Sequence, residues 1–311
     1  MADAYQTTAQ VAYFNKVDME LMVSDVLNES PLVQAMAARS TRSNSFVYTR
    51  QTAAPSVGVR SANDGIENTV GTYESVTANL KIFDASFGMD IAVAQSDERG
   101  VDHAIGVEAV THLQQSMFEI EQQVLNGTTG NLAGGFDGFA DQTNLNGASD
   151  SMVVNAGGTT ASTGSSVYLI KMGEGDVQLL WGQDGEISIG DRQIVERAGS
   201  STGRFPAFYH PIVSWCGLKI GSTYSVSRIA NLTEDSGKGL TDALVYDALS
   251  KFPASRQPNV IVMNRRSLEQ LRSSRTATNA TGAPAPRPAE VDGYPIIVTD
   301  AISNTEALLT S

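Results

Sequence analysis

The residues of this chain best suited to metal binding or nucleophilic chemistry are three histidines, His103, His112 and His210, and one cysteine, Cys216. His103 and His112 stand nine positions apart in a segment of helical periodicity. That spacing is about 900° of rotation, so the two rings lie on opposite sides and cannot share a metal. His210 sits between Tyr209 and Pro211 with no ligand-like spacing to a partner. Cys216, in SWCGLKIG, has strand character on both sides and no nearby base to activate it, so it reads as a buried, inert thiol. Glycine-rich pieces invite a phosphate-loop reading. However, KMGEGD has no terminal lysine, SGKGL lacks the upstream glycine and the following Ser/Thr, and GTTGN follows a helix rather than a strand. Glu119 and Glu121 diverge as an i, i+2 pair on a helix, and Glu174 and Asp176 fall in a turn where both are wet. There is no Gly-x-Ser-x-Gly elbow. These residue types at these spacings predict no catalytic residue, no metal and no cofactor, and therefore not an enzyme.

The elements that carry them say more. Val101, Ile105, Ala109, Leu113, Met117, Ile120 and Val124 recur at three and four, which predicts one helix from Val101 to about Leu125, closed by Gly127. At the helical rise it would be about 37 Å long, unusual for a globular protein. Asp97 and Glu98 precede it, where acids suit the positive end of the dipole. Before it, Phe46 to Val93 reads as a long, thin β-arm folded about a polar tip, SANDGIENTVG. Such a ribbon buries too little to stand alone and must lie on something else. Residues 11–38 form an amphipathic lead with a short turn opened by Pro31.

Further along, Val167 to Met172 and Val177 to Trp181 are expected strands joined by the tight turn Gly173-Glu-Gly-Asp. Strands are also expected around Ile187, at Trp215 to Ile220, Tyr224 to Ile229, Asn259 to Met263 and Tyr294 to Val298. Thr241 caps a helix that Pro253 stops, and a second short helix covers Ser267 to Leu271. The loop TATNATGAPAPRPAE is expected to be exposed. The fold class is α+β.

Composition narrows the partners. The 311-residue chain carries a net charge of -13, and its acidity peaks over residues 101–200, which hold 13 acids against 3 bases. That is a poor endowment for wrapping nucleic acid by counterion release. Arg39, Arg42, Arg50 and Arg60 are the local exception, four bases with no acid between Glu29 and Asp64. No apolar run is long enough to span a membrane, and MADAYQTTAQ does not resemble a secretory signal, so folding in a reducing cytoplasm is expected.

The ordered combination of lead helix, two-stranded arm, VDHAIGVEAVTHLQQSMFEIEQQVLNG, PNVIVMNRRSLEQLRSS and GYPIIVTDAI resembles the major capsid proteins of tailed bacteriophages, the Hong Kong 97 type. TGSSVYLIKMGEGDVQLLWG and WCGLKIGSTYSVSRIANL resemble segments of one branch of that group. The resemblance implies an N-terminal arm over 1–40, an extended loop over 41–94, a peripheral domain over 95–199 built on the long spine helix, and a mainly axial domain over 200–311. The strands at 167–181 are expected to return to the peripheral domain. It implies a homo-oligomer of hexamers and pentamers tiling an icosahedral virion shell around double-stranded DNA bound without sequence recognition. Assembly would take place in the host bacterial cytoplasm, with no membrane. A portal, a decoration protein and, because the chain starts almost at the arm, a separate scaffolding protein are the further partners implied. Phe46, Tyr48, Leu80, Ile82, Phe83 and Phe87 are the apolar residues expected to bind a neighbour. Arg39, Arg42, Arg50 and Arg60 are expected to pair with acids such as Glu119 and Glu121 across subunits. Lys81 reads as a solvated lysine rather than an isopeptide donor. An encapsulin-like compartment shell shares the fold and stays open as an alternative; a β-rich surface adhesin would leave the long helix without a purpose.

Overall fold

The computed structural model describes residues 29–66, 69–127, 134–185, 188–198, 203–277 and 283–310. The apolar lead over 11–28 and the strand expected at Ile187 lie outside them. Pro31 opens helix α1 (Pro31–Ala35), as its fixed φ and missing N–H allow. Strand β1 (Ala38–Ser40) follows, then β2 (Ser45–Ala53) and β3 (Thr72–Asn79), which pair antiparallel as an isolated two-stranded ribbon.

The return strand leaves this ribbon earlier than the sequence predicts. Leu80 is buried, and the chain continues as β4 (Lys81–Asp84), β5 (Phe87–Asp90) and helix α2 (Ile91–Gln95), which Asp90 caps by accepting from the Ala92 amide. The projecting arm therefore ends at Asn79, not Val93. Alternation continues through both parts because a half-buried sheet edge has the same period of two as an exposed ribbon.

Helix α3 (Val101–Asn126) is 26 residues long, about 39 Å at the helical rise. Gly100 at φ 101° precedes it and Gly127 at φ 61° follows it. After Gly127 the chain folds back so that the amides of Phe139 and Ala140 reach the Val124 and Leu125 carbonyls, acceptors that a helix end leaves open. Gly138 makes that approach possible: a Cβ there would stand 2.5 Å from the Gln123 carbonyl oxygen.

Two sheets form the body. The first is five-stranded, ordered β1, β8 (Val177–Trp181), β12 (Ile212–Ile220), β4, with β9 (Ser188–Ile189) also on β12. The second is six-stranded, ordered β15 (Glu290–Val291), β16 (Tyr294–Val298), β14 (Val260–Met263), β7 (Ser165–Ile170), β13 (Val226–Leu232), β6 (Val153–Asn155). Every residue of β7, β13 and β14 is buried. Helix α4 (Asp242–Ser250), capped by Thr241, packs on β13 and β6. Helix α5 (Arg265–Ala277) is longer than Ser267 to Leu271, because its outer positions are arginine, glutamine and serine that carry no apolar signal. A third, three-stranded sheet, β10 (Gln193–Ala198), β11 (Arg204–His210) and β5, was not foreseen. Its outer strand is mostly exposed and Pro206 interrupts β11, so neither shows the usual strand pattern.

The turn at Gly173–Asp176 does form, with the Asp176 amide reaching the Gly173 carbonyl, yet it joins two sheets rather than a hairpin. β7 lies inside the six-stranded sheet and β8 in the five-stranded one, so the segment 167–181 is divided between the two sheets. β12 and β13 make a second crossing between the same two sheets through Gly221–Ser225. One apolar core runs from Leu32 and the second half of α3 (Phe118, Ile120, Val124, Leu125) through both sheets to α4 and α5.

Candidate assembly surface

The arm is most exposed farthest from the body. In the ribbon Ser45 pairs with Asn79 and Arg50 with Glu74, with an irregularity between Gln51 and Ala53. Beyond it both chains run exposed and irregular, including Pro55 to Val59, which was expected as strand. Val57 is 89% exposed, Val59 100% and Val70 89%, a cluster of uncovered aliphatics at the tip. Single exposed apolar residues need no explanation, but several on one projecting loop do. Of the three, only Val70 lies within the polar tip SANDGIENTVG; Val57 and Val59 precede it in a stretch that reads as strand, where alternating valines suggest burial on a sheet.

The root is closely held. Phe46 and Tyr48, two apart on β2 and so on one face, stack at 6.2 Å. Tyr48 donates its hydroxyl to the Ile220 carbonyl at 2.6 Å, and burial raises its pKa. The Arg39 guanidinium lies 4.7 Å from the centre of the Phe46 ring. At the crossing points the Thr41 amide reaches the Trp181 carbonyl and the Leu80 amide reaches Asn44.

At the base of α3, His103 Nδ1 lies 2.8 Å from Asp97. Burial opposes ionisation of Asp97, but the His103 and Arg99 contacts outweigh it and hold the carboxyl below its ordinary range. His112 and His210 stack on Phe87 at 5.1 and 5.2 Å. Burial, with Arg192 nearby, pushes the His210 pKa down. Among the described residues no group of acids, histidines or cysteine is arranged to hold a metal. Cys216 is buried, and burial pushes its thiol up to about 12.

The ribbon thus projects from a closed body and ends in exposed aliphatics. The model of one family, major capsid protein GP7, matches residues 18–310. This chain belongs to that family. The capsid protein is a structural subunit of a shell made from many copies. The fold is similar to that of the bacteriophage Epsilon15 structure, with a TM-score of 0.70 at 18% identity, covering 100% of this chain and 99% of that one. The bacteriophage JBD30 capsid (TM-score 0.48, 13% identity, 96% of this chain and 99% of that one) and the holo-SrpI encapsulin complex from Synechococcus elongatus (0.49, 8%, 74% and 96%) resemble it more loosely. No curated protein sequence matches it. The α+β, Hong Kong 97 type fold is therefore the observed one. No described helix is long and apolar enough to cross a membrane.

The capsid subunit distributes the expected contact residues unevenly. Leu80 and Phe87 are 4% and 5% exposed and belong to its own interior. Phe83 packs half-buried beneath α3, and Phe46 and Tyr48 are half-buried at the root. Ile82 is 62% exposed. Arg39 pairs with Glu174, Arg42 with Asp184 and Arg50 with Glu74, all within the chain, and Arg60 donates to the Asp64 carbonyl. Glu121 cannot serve as their partner on a neighbour. It is fully buried, accepting from the Leu32 and Val33 amides at 2.9 and 3.1 Å and from the Thr299 hydroxyl. Glu119 is half-buried and accepts from Gln115.

Proposed function

We propose that hexamers and pentamers of this capsid protein close an icosahedral shell around a phage double-stranded DNA genome, each copy laying its arm on the next. The observation that carries this reading is the exposed cluster Val57, Val59 and Val70 on a ribbon that its own chain leaves uncovered. Ile82 and the outward faces of Arg39, Arg42, Arg50 and Arg60 complete the surface offered to the neighbour, with Phe46, Tyr48 and Phe83 supporting it from the root. Large repeated contacts multiplied by closure then supply the binding energy. The acidic surface suits a wall that contains DNA without reading its sequence. Residues up to 40 act as the N-terminal arm and 41–94 as the extended loop, whose projecting part is 45–79. The long helix with the three-stranded sheet makes the peripheral domain, and the six-stranded sheet with α4 and α5 the axial one. A scaffolding protein, a portal and a decoration protein act on the shell, which assembles in the bacterial cytoplasm.

The double variant Val57→Asp, Val59→Asp tests it. The expected outcome is a folded subunit, by circular dichroism, that yields no closed particles in negative-stain electron microscopy. Particles of normal yield and size would overturn the reading.

A further inference from the structure

Lys219 is a charged residue only 6% exposed, on the central strand β12. Its ammonium donates to the Glu174 carbonyl at 2.5 Å and stands 5.6 Å from the Phe46 ring centre and 5.5 Å from that of Tyr48. Burial, and then the neighbouring Arg39, lower its pKa. The two rings belong to the arm; Lys219 and Glu174 belong to the body. Arg39 sits on Phe46 while pairing with Glu174, so two cations from the body side touch the rings of one short stretch of β2. A cation on an aromatic face is favoured by the ring quadrupole, and more so where water is excluded. Farther out, the arm bonds to itself through Arg50 to Glu74, Thr52 to Thr72 and Ser56 to Thr69.

We propose that Lys219 is a positioning residue for the arm: its ammonium, held between the Glu174 carbonyl and the rings of Phe46 and Tyr48, sets the angle at which the ribbon leaves the body. An apolar side chain would fill the same space but add only dispersion, which has no preferred direction, to the Tyr48 hydroxyl bond to Ile220 and the Arg39 contact with Phe46. The charge fixes the rings, since it is attracted to the ring faces and repelled from their edges. The inference rests on the arm being the element that reaches a neighbour. The angle itself belongs to one chain and can be read without assembly.

The experiment uses the full chain carrying Cys216→Ala, with nitroxide labels at Ser61→Cys near the arm tip and Tyr246→Cys on α4, diluted into unlabelled chain. Pulsed electron spin resonance then reports the distance distribution between arm and body. Lys219→Met should broaden it and lower the ratio of docked to displaced arm about tenfold, the scale of two lost cation–ring contacts. Lys219→Arg should restore the narrow distribution. Should Lys219→Met fail to fold, Phe46→Leu, which removes one ring and keeps the ammonium, must give the same broadening. An unchanged distribution in the methionine or leucine variant, or one as broad in the arginine variant as in the methionine variant, overturns the proposal. If the clamp holds in this assay while the Val57, Val59 variant still builds particles, it is the assembly reading that fails.

Discussion

Glu121 offers the sharpest quantitative test of how the N-terminal segment is fastened. Its carboxylate joins three separate elements: the first turn of α1 through two amides, the middle of the chain through α3, and the end of β16 through Thr299. No cation is among its contacts, so burial raises its pKa, and the Thr299, Val33 and Leu32 hydrogen bonds only partly offset this. Replacing it with leucine removes a buried charge but strands one buried and one half-buried amide donor, each at about 1–3 kcal/mol, for a net loss of roughly 2–4 kcal/mol. Glu121→Gln keeps a carbonyl for the two amides and a donor for the Thr299 oxygen, so it should lie within about 1 kcal/mol of the parent near neutrality.

The sign of the pH dependence follows from the direction of the shift. A carboxyl whose folded pKa lies above its unfolded value, about 4.3, contributes stability that is fully present below the unfolded value and lost as pH rises through the folded one. The parent should therefore gain on Glu121→Gln as pH falls through the raised pKa and stop gaining below about pH 4. Urea unfolding of unassembled subunits, followed by the fluorescence of Trp181 and Trp215, measures both differences. A leucine variant as stable as the parent, or a parent-to-glutamine difference flat with pH, would refute the reasoning.

Two further outcomes are expected. Arg228, with its side chain 6% exposed, pairs with Glu306 at 3.1 Å and also reaches Ser166 and the Leu145 carbonyl. Arg228→Met should cost about 3–5 kcal/mol by leaving Glu306 without its cation, seen as a lower Tm and faster amide exchange over residues 306–309; an unchanged Tm would count against the pairing. Cys216, its thiol raised by burial to about 12, should resist an aromatic disulfide reagent until denaturant is added. Rapid modification of the native subunit would contradict that burial.

The long helix was legible because its apolar residues keep a three-and-four spacing without a break. The Thr241 cap, the Pro31 turn and the strands at 260–263 and 294–298 were legible for similarly local reasons. What local pattern could not supply was the identity of each strand's partner. Val76 to Ile82 alternates without a break, yet Asn79 pairs with Ser45 on the arm while Ile82 pairs with Trp215 in the body. A tight turn at Gly173 looks the same whether its strands pair or part. Glu121 resembles any helical acid until the backbone of Leu32, 89 positions away, is folded against it. Of the residues expected to face a neighbour, Leu80 and Phe87 failed for a related reason: apolarity predicts burial but not against which molecule. Lys219 gave no sign at all, since a lysine on a strand is ordinarily solvated.

The paired crossings between the two large sheets bear on how a shell carries load. They lie side by side: the Gly221 amide donates to the Asp176 carbonyl, the Lys171 amide to Ser225, and Asp176 accepts from both Ser225 and Arg256. A Cβ on Gly221 would lie 2.1 Å from the Gly175 carbonyl oxygen, so there is no slack at this point. Sliding one sheet over the other would stretch two covalent backbones instead of parting side chains. The body thus behaves as a stiff tile, and any change of curvature must be taken up at the seams between tiles and at the root of the arm.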